Sequence, residues 1–219
     1  IGRPDRRDLA AACNANDDQR DELLRALRLV EPQQRLACRQ QVKAELEAQL
    51  KAVPDELGVI LSSEHFHLSL QRPEEIETLK QLLLELGLEV QQVVIYLREP
   101  LALIESLFST MVRSGDQRPL PADPADPFVA LICDHSASLR RWRAVFGEAV
   151  VQPRAFPPQA GGSLSADFLQ LLGNAPAAGW PPEPQRHRNR GLNPSTLNLL
   201  PWLTRHCAWH TPQARQRWQ

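Results

Sequence analysis

The stretch Val93-Val94-Ile95-Tyr96-Leu97-Arg98-Glu99-Pro100 decides the predicted fold of this chain. Its β-branched and other apolar residues predict a buried strand over residues 93–97, with Arg98 at its end. The proline predicts the start of an amphipathic helix, and Ser106 lies in that helix, eight residues after Arg98. Ligands of open α/β sheets bind at the carboxyl ends of the strands. We therefore expect Arg98 and Ser106 to share an anion, most often a phosphate or a carboxylate.

Further strands and helices are predicted on both sides of this stretch. Residues 1–18 are expected to be polar and irregular, and two more short strands are expected over 58–64 and 149–153, the second stopped by Pro153. Helices are expected over about 19–30, 32–53, 73–87, 100–113, 136–146, 163–172 and 193–206. The alternation predicts an α/β fold with a parallel sheet. Three short strands are few, so we expect the sheet to be incomplete at the N-terminus.

Composition narrows the class of protein. The chain of 219 residues is long enough for one α/β domain, and its formal net charge of −1 provides no general attraction for nucleic acid. No apolar run reaches the roughly 18 residues of a membrane span. The first residue is isoleucine, so we expect the natural N-terminus to be missing. Four widely spaced cysteines indicate buried thiols in a reducing, cytoplasmic setting rather than a disulfide framework: Cys13, Cys38, Cys133 and Cys207.

Several segments, in order, resemble the bacterial branch of the P-loop-type sulfotransferase family. They are Ser62-Ser63-Glu64-His65-Phe66, Tyr96-Leu97-Arg98 with Ser106, Arg141-Trp142-Arg143-Ala144-Val145-Phe146-Gly147, and Ala166-Asp167-Phe168-Leu169-Gln170-Leu171-Leu172-Gly173. The match is best over residues 55–200 of a single domain spanning 1–219, with a helical region over 1–54 and a tail over 207–219. The resemblance implies a three-layer fold, in which helices flank a short, mostly parallel sheet.

The resemblance also implies an activity. The family transfers a sulfuryl group from 3′-phosphoadenosine-5′-phosphosulfate to a hydroxyl or amine, here of a carbohydrate-like or small-molecule acceptor, with no metal. Arg98 and Ser106 would then hold the 3′-phosphate of the nucleotide, since an arginine fork suits a dianionic phosphate. The alternative for Arg98 is a surface ion pair with Glu99 or Glu105, worth less than about 1 kcal/mol.

One family feature is missing from the sequence. The Lys-Thr-Gly-Thr-Thr-like turn that grips the 5′-phosphosulfate does not occur, and the chain begins where the segment beyond that turn is expected. Either the chain is a fragment or the loop has been lost. The second case predicts a different class of protein, a non-catalytic α/β interaction module.

Glu64, His65 and His67 are the candidate bases. Sulfuryl transfer needs a group that takes the acceptor proton, and Glu64 at the end of a strand serves if partial burial raises its pKa. His65 is the competing catalytic candidate, together with His67, and strand alternation would put both histidines opposite Glu64. The alternatives are a solvated acid and ordinary imidazoles. A metal site is not expected, because nothing supplies the remaining ligands.

The late part of the chain adds weaker candidates. Arg190 and Gly191 belong to the densest basic cluster and resemble the family's basic loop that closes over the 3′-phosphate; the alternative is a solvated turn. No aromatic residues are interleaved there, which disfavours nucleic acid. The segment from His206 to His210 has no partner pair for a zinc site. Acceptor selectivity is expected in the loop over residues 115–127.

Overall fold

The structure is mostly helical, with one short sheet. It is a computed structural model that describes residues 6–15, 22–54, 58–113, 126–158 and 163–173. In chain order its elements are α1 (Arg7–Cys13), α2 (Glu22–Ala26), α3 (Pro32–Leu50), α4 (His65–Ser69), α5 (Pro73–Glu85), β1 (Val93–Arg98), α6 (Pro100–Arg113), α7 (Pro127–Cys133), α8 (His135–Phe146), β2 (Val151–Phe156) and α9 (Leu164–Leu171). The α/β class is therefore confirmed, and the predicted helix over 193–206 lies outside the described residues.

The sheet pairs β1 with β2 in parallel. The backbone N–H of Val93 donates to the carbonyl of Val150 at 2.9 Å. In a parallel ladder this bond directs the N–H groups of even-numbered β2 residues toward β1. Pro153 is odd-numbered, so its missing N–H costs the sheet no hydrogen bond. The prediction that Pro153 stops the strand is therefore wrong, and β2 continues to Phe156.

The described chain divides into two units. Unit 1 comprises residues 1–95 and 134–153, and unit 2 comprises residues 96–133 and 154–219. In unit 1, α1 packs against α3, α4 and α5, and α5 packs against α8. Trp142 is 6% exposed in this core and stacks on Phe146, with 5.9 Å between ring centroids. Trp142 therefore belongs to the core of unit 1, and the partly buried Phe146 packs against it.

The N-terminal segment differs from its prediction. Residues 1–18 were expected to be irregular, but α1 forms there and its Leu9, Ala10 and Ala11 are fully buried. The small side chains of Ala10 and Ala11 allow close approach of neighbouring helices while giving only a weak apolar signal in a polar stretch. The prediction missed a central helix of unit 1 for that reason.

The predicted strand over residues 58–64 is also wrong. Residues 58–63 are in neither helix nor strand, Glu64 lies in a turn, and α4 begins at His65. Val59 and Ile60 are 41% and 58% exposed, so the apolar run is not buried as a strand of a covered sheet would be.

In unit 2, α6 packs on α7. Ile104, Phe108 and Val112 form its buried stripe, and Phe128 meets Phe108 edge to face at 6.3 Å between centroids. The helix α7 was not predicted from the sequence. Among the described residues, no helix has the length and apolar character needed to cross a membrane.

Candidate functional site

Arg98 ends β1, and α6 starts two residues later. The intervening Glu99 caps this helix, because its carboxylate accepts hydrogen bonds from the backbone N–H groups of Leu101 at 3.0 Å and Ala102 at 2.7 Å. These bonds lower the pKa of the Glu99 carboxyl. The cap and Pro100 at the first helical position fix where β1 turns into α6. The predicted connection from strand to helix is confirmed.

The Arg98 side chain lies against an aromatic ring of β2. It is half-buried, and its guanidinium carbon is 5.5 Å from the centroid of the Phe156 ring. This is a cation–π contact, which uses no N–H donor of the guanidinium. A guanidinium is also the side-chain group whose fork of donors best matches a carboxylate or phosphate.

Ser106 is half-buried in α6. It is the seventh residue of the helix, so it lies about 9 Å along the helix axis from Pro100. Its carbonyl accepts a hydrogen bond from the Thr110 hydroxyl at 3.2 Å. Arg98 and Ser106 thus both belong to unit 2, on consecutive elements, as predicted from their spacing.

A polar cluster, here called the Asp167 cluster, is formed by Tyr96, Arg154 and Asp167 on the same unit. The Asp167 carboxylate accepts hydrogen bonds from the Tyr96 hydroxyl at 2.7 Å and from the Arg154 Nε at 3.2 Å. A second guanidinium nitrogen, Nη2 of Arg154, donates to the other carboxylate oxygen. Three donors from two strands therefore converge on one acid of α9.

The charges of the Asp167 cluster perturb its titration. The hydrogen bonds from Arg154, and then from Tyr96, lower the pKa of Asp167. Burial raises the pKa of Tyr96 to about 12, and the hydrogen bond to Asp167 acts in the same direction. Sequence reasoning assigned these residues no role. The signal that was available is strand alternation, which puts Tyr96 on the same face of β1 as Arg98.

Glu64 and His65 belong to unit 1, and their predicted strand setting is wrong. Glu64 is exposed and immediately precedes α4, and the His65 backbone N–H donates to the Ser63 hydroxyl at 3.3 Å. The alternation expected of His65 and His67 opposite Glu64 does not apply, because α4 is helical. Glu64 also lacks the partial burial that a role as base requires.

His67 packs toward α8 instead. Its Nδ1 is 3.3 Å from the Ser138 hydroxyl, and Ser138 is fully buried. Its carbonyl accepts a hydrogen bond from the Gln71 side chain, which in turn accepts one from Arg141 at 2.8 Å. Because Ser138 is fully buried, a substrate cannot reach it. The contact between His67 and Ser138 is therefore structural and holds α4 against α8 within unit 1.

The remaining candidates fall largely outside the described residues. Arg190 and Gly191 do so, as do the segment from His206 to His210 and most of the loop over 115–127. In the part of the chain that is described, no group of His, Cys, Asp and Glu side chains has the arrangement of a metal site.

Unit 1 also contains an open groove of about 460 Å³ between α1, residues 27–29 that follow α2, and α3. Its polar lining includes Asp8, Cys38 and Glu45, and the two carboxylates add to the effect of burial in raising the pKa of the Cys38 thiol. Neither Glu64 nor His65 lines it.

In comparisons with protein-family models, curated proteins and solved structures, no match to this chain was found.

Proposed function

We propose that this protein is a sulfotransferase that uses 3′-phosphoadenosine-5′-phosphosulfate and that Arg98 and Ser106 hold the 3′-phosphate of the nucleotide. The observation that carries the proposal is the connection from β1 to α6. Arg98 is the last residue of β1, and Ser106 lies in α6, the next helix of the same unit. We also propose that the α/β fold has a three-layer, P-loop-type architecture, and the parallel pairing of β1 with β2 supports this.

The residues present fit a phosphate dianion. Arg98 carries a planar set of donors, and its cationic face lies against the Phe156 ring. Ser106 adds a neutral hydroxyl. Glu99 accepts hydrogen bonds from two N–H groups of α6, so it caps the helix, and the charge of Arg98 also lowers the pKa of this acid.

The proposed reaction forms a bond between the acceptor oxygen or nitrogen and sulfur. The bond between sulfur and the oxygen of the 5′-phosphate breaks, and the acceptor proton passes to a base. Glu64 and His65 stay the alternative bases by resemblance. Because Glu64 is exposed and both residues belong to unit 1, these two assignments rest on the resemblance alone. Comparison of kcat for Glu64→Gln and His65→Asn separates the two assignments, since loss of the base lowers kcat more than KM.

A calorimetric titration with adenosine 3′,5′-bisphosphate tests the nucleotide site. Arg98→Ala is expected to weaken binding by about 10-fold to 100-fold, because hydrogen bonds to a charged group contribute about 1.5–3 kcal/mol. Arg98→Lys keeps the charge but loses the fork, and we expect it to fall between Ala and the wild type. Arg140→Ala is the matched control: it removes an exposed arginine of α8.

The same titration with adenosine 5′-monophosphate identifies the phosphate that Arg98 holds. The wild type is expected to prefer the bisphosphate, and Arg98→Ala is expected to lose that preference. Ser106→Ala is expected to reduce the preference for the bisphosphate by about 2-fold to 10-fold. Ser136→Ala, which changes an exposed serine, is the control. Absence of binding to the wild type, or equal effects of Arg98→Ala and Arg140→Ala, refutes the proposal. Binding without transfer to any acceptor identifies the protein as the non-catalytic module instead.

A further inference from the structure

One face of the sheet in unit 2 gathers Arg98 and the Asp167 cluster. The hydrogen bond from Val93 to Val150 sets the parallel register. Counting from it along the strands, Tyr96 lies opposite Arg154, and Arg98 lies opposite Phe156. Side chains two residues apart point to the same side of a strand, so these four share one face.

The helix α9 supplies the fifth member. Its Asp167 reaches Tyr96 on β1 and Arg154 on β2, as described above. None of the eight residues of α9 is fully buried, whereas the side chain of Asp167 is only 15% exposed. Apolar burial is therefore a weak tether for α9, and the hydrogen bonds of Asp167 are the stronger described link between this helix and the sheet face.

We propose that Asp167 is a positioning residue for Arg98. It holds Tyr96, which is two residues from Arg98, and Arg154, which is two residues from the Phe156 ring on which Arg98 lies. Holding Tyr96 and Arg154 steadies the two strand segments that carry Arg98 and Phe156, and so the direction of the arginine fork before an anion binds; preorganised donors bind more tightly than donors that must first be ordered. This inference rests on the proposed function, because the bound anion is taken to be the 3′-phosphate.

A double-mutant cycle with adenosine 3′,5′-bisphosphate tests the inference by calorimetry. Asp167→Asn alone is expected to weaken binding by about 5-fold or more, and in the Arg98→Ala background by no more than about 2-fold, which is the limit of additivity for independent sites. The control is Asp134→Ala, which removes the cap of α8 in unit 1 and is expected to change affinity by less than about 2-fold.

Two further measurements separate positioning from simple loss of structure. The preference for the bisphosphate over adenosine 5′-monophosphate is expected to fall in Asp167→Asn in proportion to the loss of affinity, which general destabilisation would not cause. Tyr96→Phe removes one hydroxyl and keeps the pair of Asp167 with Arg154. Tyr96→Phe replaces Asp167→Asn in the cycle if Asp167→Asn does not fold. We expect Tyr96→Phe to weaken binding less than Asp167→Asn does, and to have no effect on binding in the Arg98→Ala background.

Tyr96 is the only tyrosine in the chain, so ultraviolet absorbance of tyrosinate reports it alone. In Asp167→Asn, we expect the Tyr96 pKa to fall only in part from about 12, because the contribution of the Asp167 carboxylate is lost while burial, the larger cause, remains; circular dichroism checks that the protein stays folded. An unchanged Tyr96 pKa, or additive effects of Asp167→Asn and Arg98→Ala, overturns the inference. Failure of the wild type to bind any nucleotide is a different outcome, which overturns the proposed function.

Discussion

Glu75 provides the sharpest stability prediction. This glutamate of α5 is 1% exposed in unit 1. One carboxylate oxygen accepts a hydrogen bond from the backbone N–H of Ala15 at 3.0 Å, and the other accepts from Gln71 at 2.7 Å and Arg72 at 3.0 Å. The acid therefore connects the residues that follow α1 with the start of α5.

The change Glu75→Gln keeps the shape and replaces one acceptor oxygen with an NH₂ group. At least one of the three backbone N–H groups that donate to Glu75 then faces the NH₂ group, which is itself a donor. The remaining hydrogen bonds are made to a neutral amide oxygen instead of a carboxylate. A hydrogen bond to a charged group contributes about 1.5–3 kcal/mol, so we expect a loss of about 2–4 kcal/mol. The matched control Glu74→Gln changes an exposed acid in the same helical turn, where only the helix dipole is affected, by about 0.3–1 kcal/mol.

Urea unfolding followed by circular dichroism measures the difference in midpoint between the two variants. Because the chain has two units, hydrogen exchange at the amides of Ala15, Gln71 and Arg72 is the local readout. We expect these amides to lose protection in Glu75→Gln and to keep it in Glu74→Gln. Equal midpoints, or unchanged protection at Ala15, would refute the reasoning.

Three other predictions concern a cap, a thiol and an acid. Ser163→Ala removes the acceptor that caps α9 and is expected to destabilise that helix by about 1 kcal/mol, measured by hydrogen exchange against Ser163→Asp, which restores a cap. Burial raises the pKa of Cys13 to about 12, so in native protein iodoacetamide is expected to modify the less buried Cys133 before Cys13, as read by peptide mass spectrometry; faster labelling of Cys13 would contradict this. Arg154 lowers the pKa of Asp167, so the stability that Asp167 contributes is present above pH about 4 and is lost as the pH falls through its lower folded-state pKa. The difference in urea midpoint between wild type and Asp167→Asn should therefore shrink on acidification, and a constant difference would count against the ion pair.

Local signals predicted much of the fold. The helix expected over residues 100–113 matches α6, because proline at the first helical position is a signal carried by the sequence itself. The cap at Ser163 is a similar case: its hydroxyl accepts from the Ala166 N–H at 3.1 Å, as the predicted helix start requires. Such signals need no partner elsewhere in the chain.

The strand predictions failed where pairing decides the outcome. Residues 58–61 carry Val59 and Ile60 much as β1 carries Val93 and Val94, yet only the second run forms a strand. The difference is a partner, because β1 pairs with β2 and the described structure gives residues 58–63 no strand beside them. A strand is a property of two segments, and composition within one of them cannot supply the other.

The same distinction divides the candidate site. The place of Arg98 follows from a few neighbouring residues, whereas Tyr96 and Asp167 meet across 71 residues of sequence. The chain has 26 acidic residues, so composition alone cannot indicate which of them pairs with Tyr96. If local sequence places the anion-binding group and long-range contacts fix its orientation, substitution of Arg98 and substitution of Asp167 should differ in effect. Loss of Arg98 should abolish the preference for a 3′-phosphate, and loss of Asp167 should only reduce it.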